Sequence, residues 1–125
     1  MCKLLISIKP EYVNDILKGI KKYEYRRVKP KRKDISKLVI YSTSPVKKVV
    51  GEVEVIEILD LPPEELWTRT SCDSGISKSF YDKYYDGKEK AYAFKLGNVI
   101  QYDVPKNLDD VGIDFVPQSF LYLDN

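Results

Sequence analysis

At 125 residues, with 43% hydrophobic and 32% charged positions, the chain is long enough for one domain with its own core and too apolar to stay disordered. It has no histidine and only two cysteines, Cys2 and Cys72, outside any CxxC spacing. This removes a histidine general base, a Ser-His-Asp triad and a histidine-ligated metal, and it leaves neither a disulfide framework nor a donor set for structural zinc. The net charge of +2 hides an asymmetry, because residues 1–50 carry 14 Lys and Arg against 4 Asp and Glu while residues 51–125 carry 7 against 15. Nine of the cations lie between Lys18 and Lys33, which predicts a local positive surface suited to a phosphate backbone or, equally, a solvated basic loop. No apolar run approaches the ~20 residues of a membrane span, and the opening MCKLLISIKP has too short an apolar core for a signal peptide. A cytoplasmic protein without membrane, metal or cofactor is the expectation.

Lys3 to Lys9 alternates, with Leu4, Ile6 and Ile8 on one face, and reads as a first strand. Pro10-Glu11 opens a short helix running to about Lys18, with Tyr12, Val13, Ile16 and Leu17 as its stripe and Gly19 as the C′ residue. A strand over about Lys21 to Arg27 follows, then a basic connection from Val28 to Lys33 containing Lys31, Arg32 and Lys33. Lys37 to Ser42 is a continuous apolar run, as expected of a strand buried on both faces, and Ser42, Thr43 and Ser44 make a polar turn whose hydroxyls offer ligand contacts or plain turn chemistry. Lys48 to Leu59 is the longest strand, with Gly51 marking a bulge. Its Glu52 and Glu54 are either a wet face or a reach toward Lys21.

Leu61 to Trp67 is a proline-started helix that anchors Trp67, and Thr68 to Gly75, with Arg69 and several hydroxyls, is the most loop-like stretch and a candidate binding loop. Ile76 to Asp86 is a helix capped by Ser77 or Ser79, with Ile76, Phe80, Tyr84 and Tyr81 on its stripe and Gly87 as terminator. Ala91–Leu96 and Val99–Val104 form two alternating runs around Gly97-Asn98, which predicts a tight hairpin. Leu108 to Val111 is one helical turn, and Pro117 to Leu123 a last strand or tail. The sum is an α+β, mainly β protein, a small curled sheet or β-barrel of five to six strands with short interposed helices.

Within this frame the densest chemistry is Gly19-Ile-Lys21-Lys-Tyr23-Glu24-Tyr25-Arg26-Arg27. On a strand, Tyr23 and Tyr25 share one face and Lys22, Glu24 and Arg26 the other, with Lys21 at the strand start on the tyrosine side. A Lys, a Glu and an Arg crowded at the mouth of a small barrel suit an anion, a base or a phosphate; they also suit a simple ion-paired strand.

The spacing Gly19-x-Lys21-x-x-Glu24-x-Arg26 resembles the GxKxxExR signature of ASCH domains, a branch of the PUA-like β-barrel superfamily. The opening Leu5-Ile6-Ser7-Ile8-Lys9-Pro10 and the closing Pro117-Gln118-Ser119-Phe120 are similar to small stand-alone members, so the resemblance spans nearly the whole chain. It implies one PUA-like domain over residues 1–125 that binds nucleic acid, RNA above all, through a basic cleft formed by Lys9, Gly19, Lys21, Tyr23, Glu24, Arg26, the Lys31–Lys33 cluster, Ser42, Thr43, Ser44 and Arg69. Some bacterial members are amidohydrolases of an N4-acylated cytidine, which implies Lys21 as catalytic lysine. Those enzymes carry a threonine nucleophile where this chain has Glu24, and a carboxylate does not replace an alkoxide in forming an ordinary ester. With Glu24 as general base for water and Lys21 or Arg26 on the oxyanion, a variant of that chemistry, or a ribonuclease, is the catalytic alternative to binding.

Overall fold

The computed structural model describes residues 2–123. Among the described residues the order is β1 (Cys2–Ile8), α1 (Pro10–Leu17), β2 (Tyr23–Arg26), β3 (Ile35–Ser42), β4 (Lys48–Leu61), α2 (Pro63–Thr70), a 3-10 turn (Ser71–Asp73), α3 (Lys78–Tyr84), β5 (Ala91–Lys106), a second 3-10 turn (Leu108–Val111) and β6 (Phe120–Leu123). The strands form one mixed sheet in the order β2-β5-β4-β3-β1-β6, antiparallel except where β1 lies parallel to β3. The sheet curls into a half-barrel with the short helices interposed, the mainly β architecture that the strand spacing predicts.

Cys2 to Ile8 does not have the one-sided burial its alternation suggests. Leu4, Ile6 and Ile8 enter the main core with α1, while Leu5 is equally buried on the opposite face with Val39, Tyr41 and Val49. The reason is position: β1 is flanked by β3 and β6 and covered on both faces, so its polar residues Lys3 and Ser7 end half-buried. A third cluster, built on Tyr25, Leu66, Tyr81, Tyr85, Ala91 and Ala93, seats α2 and α3 against β2 and β5. Trp67 anchors there, its ring 4.7 Å from that of Tyr81.

The expected hairpin at Gly97-Asn98 is absent, and β5 runs unbroken for 16 residues beside the 14 residues of β4. Val53 pairs with Val99 and Val55 with Leu96, so the dipeptide is absorbed as one extra residue on β5. A Cβ at Gly97 would collide with the Glu54 carboxylate, which also accepts the Asn98 amide N–H. Gly51 marks the anticipated bulge: the register shifts there in both of its ladders, and a Cβ on it would sit 2.5 Å from the Ile100 carbonyl oxygen. The loop after α2 is shorter than the sequence suggests, since α2 continues through Thr70 into the 3-10 turn.

The α1 end sets up the site. Gly19, at φ +76°, reverses the chain so that the amides of Ile20 and Lys21 both donate to Asp15 O, at 2.9 and 3.1 Å. Lys21 thus leaves the helix held at its backbone, and Lys22 N–H donates to Asp73 O while Lys22 O accepts from Leu96 N–H. β2 then begins at Tyr23.

Candidate functional site

Lys21 is 3% exposed and Glu24 7%, unusual values for side chains that lose hydration when buried. Each is compensated. The Lys21 ammonium donates to Ser74 O at 2.6 Å and lies 4.9 Å from the centre of the Tyr25 ring and 5.5 Å from that of Tyr12. Arg26 donates from Nε (3.0 Å) to Glu24 Oε2, with Nη2 also 2.9 Å from that oxygen. The same guanidinium reaches Ser7 O (2.8 Å) through Nη2 and Ser119 Oγ (3.2 Å) through Nη1, so it ties β2 to the end of β1 and to the segment before β6. That segment is itself fixed by Ser7, whose hydroxyl donates to Pro117 O and whose amide donates to Ser119 O.

Burial lowers the Lys21 pKa from its ordinary 10.5, and Arg26 adds to the lowering against the opposing pull of Glu24 and Asp15. The Tyr25 hydroxyl faces Thr70 Oγ1 at 2.7 Å, and because Thr70 already donates to Leu66 O, Tyr25 is the donor. Its pKa is pushed up to about 12 by burial. Gly75, at φ +71°, closes the far side: a Cβ there would fall 2.8 Å from both Cβ and Cγ of Lys21. The Ser74-Gly75 backbone is therefore pressed directly against the lysine stem.

These groups form the floor of a cleft of about 570 Å³ between β2, α1, α3 and the 118–119 segment, within the ~300–1,000 Å³ range of small-ligand sites. At its mouth stand exposed Lys9, Arg27, Phe80 and Gln118, with Tyr12 and Tyr84 half-buried beside them. A second depression, about 740 Å³ and more open, lies over Asp34 to Lys37 and Glu54 to Ile56 and contains none of the candidate residues.

Of the residues singled out from sequence, Lys9, Lys21, Glu24 and Arg26 line the cleft. Gly19 shapes the chain reversal, and Tyr23 packs half-buried against the α2–α3 cluster. Ser42 is buried opposite Lys48 at the end of β3, Thr43 bonds by its amide to Ile8 O, Ser44 is in the turn beyond, and Arg69 is exposed on α2. Lys31 and Arg32 give their amides to the Tyr122 hydroxyl, the Arg32 guanidinium holds both oxygens of Asp34, and Lys33 is exposed. Glu52 does not approach Lys21; it meets Lys3, Lys37 and Tyr102 instead. Residues that sequence reasoning missed are Ser7, Tyr12, Arg27, Ser74, Gly75 and Tyr84. Signals were present for Ser74 and Gly75 in the loop-like stretch, for Arg27 in the basic run and for Ser7 in the opening segment, whereas Tyr12 and Tyr84 read only as helix stripes.

The ASCH domain profile matches residues 6–101, most of the chain. The chain belongs to the ASCH domain family. Among curated relatives, the ASCH domain-containing ribonuclease of Zymomonas mobilis is 35% identical over 123 residues, covering 95% of this ASCH chain and 82% of that protein. The large ribosomal subunit protein uL22 of Ureaplasma parvum serovar 3 is 37% identical over 89 residues, or 71% of this chain; the matched part is only 29% of that protein. The crystal structure of ASCH from Zymomonas mobilis superposes with a TM-score of 0.88 at 34% identity, covering 98% of this chain and 87% of the other. The N-terminal domain of Staphylothermus marinus McrB, at 14% identity and a TM-score of 0.54, shares the fold. Among the described residues no helix is long and apolar enough to cross a membrane, and no group of acidic residues and cysteines is placed to hold a metal.

Proposed function

We propose that this chain binds single-stranded RNA and draws one nucleotide into the cleft. The observation that carries the reading is the cleft itself: a buried lysine and a held arginine on the floor, exposed cations and aromatic rings at the mouth, and a volume suited to a nucleotide and too small for a duplex. Flexible strands present unstacked bases to such aromatic and cationic surroundings, whereas a helix keeps its bases inside. The relationship to a ribonuclease that the chain covers over most of its length supports an RNA ligand.

Cleavage of the bound strand is a second reading, favoured by the 35% identical ribonuclease and by the lowered Lys21 pKa. In such a step the ribose 2′-oxygen loses its proton and bonds to the adjacent phosphorus, and the 5′-oxygen leaves and takes up a proton. Lys21, its pKa lowered by burial, is placed for proton transfer, and Arg26, fixed by Glu24 and Ser7 O, supplies positive charge for the crowded phosphorus. Amide hydrolysis ranks below both, because Glu24 as base for water would have to act with Oε2 already engaged by Arg26.

The test is fluorescence anisotropy of a labelled single-stranded RNA at about 50 and about 200 mM salt, with the products of the same samples resolved by electrophoresis. Binding that weakens with salt and is lost when Lys21 and Arg26 are neutralised is expected. Salt-independent binding, or none at low salt, would overturn the proposal. Shortened RNA lost in Lys21→Met adds cleavage to binding.

A further inference from the structure

The aromatic side of the cleft mouth has a feature that the floor does not explain. On α3 the tyrosines are tied down: the Tyr81 hydroxyl donates to Pro63 O, that of Tyr84 to Tyr25 O, and that of Tyr85 to Arg26 O and Tyr92 O. Tyr81 and Tyr85 are buried in the cluster beneath. Phe80 has no hydroxyl to anchor and is 39% exposed, although the helical stripe of the sequence would bury it.

Its position is nonetheless fixed. The Phe80 amide donates to the capping Ser77 hydroxyl at 3.1 Å, which sets the first turn of α3. Its ring lies 12° from parallel with the Tyr84 ring, at 6.2 Å between centres, and the Tyr12 ring of α1 stands 6.1 Å away, tilted by 59°. The Arg27 guanidinium lies 4.6 Å from the centre of Tyr84, and Lys9 stands on the same mouth. A flat apolar ring held toward water beside two cations is the arrangement that accepts a nucleobase on the ring while the phosphate next to it meets the cations.

We propose that Phe80, backed by Tyr84 and Arg27, is a stacking subsite for the base adjacent to the nucleotide seated on the cleft floor. The unit recognised is then an unpaired dinucleotide step: one nucleotide over Lys21, Glu24 and Arg26, its phosphate at Arg27 and Lys9, and the next base on Phe80. This rests on the reading of the cleft as an RNA site and extends it from one nucleotide to two. The interior of a duplex is excluded at Phe80, because a base paired and stacked on both sides has no free face to offer.

The test compares 2′-O-methyl ligands, which lack the nucleophile for cleavage: a mononucleotide, the matching dinucleotide, a hexanucleotide and a short duplex. They are titrated against the full chain, Phe80→Ala and Phe80→Trp at one salt concentration. The wild-type chain is expected to bind the dinucleotide roughly 5- to 150-fold more tightly than the mononucleotide, the worth of one base on one aromatic ring. Phe80→Ala should abolish that increment, so that dinucleotide and mononucleotide bind alike, while Phe80→Trp retains it, since any broad ring serves. If wild-type chain binds single strands but Phe80→Ala keeps the increment, or weakens mononucleotide and dinucleotide alike, the stacking subsite is wrong and the RNA reading stands. Equal affinity for the duplex overturns the subsite as well. Failure of the wild-type chain to bind any of the four ligands overturns both.

Discussion

Two charged clusters sit on this sheet, and their difference separates a candidate site from a brace. Glu52, near the middle of β4, meets Lys37 Nζ at 3.2 Å, Lys3 Nζ at 3.8 Å and the Tyr102 hydroxyl at 2.8 Å, a row crossing β1, β3, β4 and β5. Both lysines remain in contact with water, so each charge keeps much of its hydration. Glu24, on the edge strand β2, has a single guanidinium partner that is itself nearly buried and is committed to Ser7 O and Ser119 Oγ. Beside it Lys21 is deeper still. Charges that the solvent can reach are interchangeable parts of a surface; charges held in a concave, water-poor pocket interact strongly with whatever enters.

The largest break in that comparison is Arg26→Ala. It leaves the Glu24 carboxylate buried without its cation and removes the guanidinium's bonds to Ser7 O and Ser119 Oγ, and about 3–5 kcal/mol of stability should be lost. Urea denaturation measures this, and a loss below about 1 kcal/mol, the level of an exposed pair, would place Glu24 in the same class as Glu52. Gly75→Ala comes next. The left-handed backbone alone costs about 1–2 kcal/mol for a residue with a Cβ, and the new methyl must also push the Lys21 stem off Ser74 O. The expected signature is reduced stability together with weaker RNA binding; unchanged binding would mean that Lys21 does not need its seat.

The buried cluster was the more legible in the sequence, but only its local half. Lys21, Glu24 and Arg26 fall within six residues, and strand alternation with Gly19 behind them places the acid and the arginine together. The groups that turn this trio into a pocket come from far along the chain: Ser74 is 53 positions from Lys21, and Ser119 is 93 from Arg26. No periodicity reports such contacts, since they are made by the curl of the sheet and the seating of α3. The fold shows the same division. β3 and β4 are plain from their apolar runs, whereas the continuity of β5 is hidden because Gly97-Asn98 has the chemistry of a turn and only the long partner β4 decides for a bulge. Phe80 was misread for a related reason: a stripe says which residues align, and neighbouring elements decide which of them are covered.

A smaller and more specific effect concerns pH. The Lys21 pKa is lowered in the folded chain by burial, below the ordinary 10.5 it has when unfolded. Between the two values the unfolded chain carries more protons, so stability rises with pH in that window, by at most about 1.4 kcal/mol per pH unit. The buried tyrosines act oppositely: with Tyr25 raised to about 12, the folded chain holds the extra proton above 10.0 and stability falls as pH climbs further. The tyrosines titrate alike in wild type and Lys21→Met, so the difference between the two denaturation series over the same pH range isolates the lysine, and the variant should lack its rising contribution. An identical slope in the variant would show that Lys21 titrates as an ordinary surface lysine.

The smallest expected effect belongs to the brace. Burial works to raise the Glu52 pKa, but the Tyr102 hydroxyl and then Lys37 and Lys3 outweigh it, and the group ends below its ordinary 4.5. Its contribution to stability is then complete at neutral pH and is lost as pH falls through the folded value, because the unfolded chain takes up the proton first. Glu52→Gln should cost about 0.5–1 kcal/mol at neutral pH, less at high salt, and nothing once the wild-type carboxylate is itself protonated. RNA affinity should be unchanged, since the side chain lies outside the cleft and its partners are on other strands. If Glu52→Gln weakened RNA binding as much as Arg26→Ala, the ligand would have to track across this face of the sheet as well. The distinction between pocket and brace would then be one of burial alone.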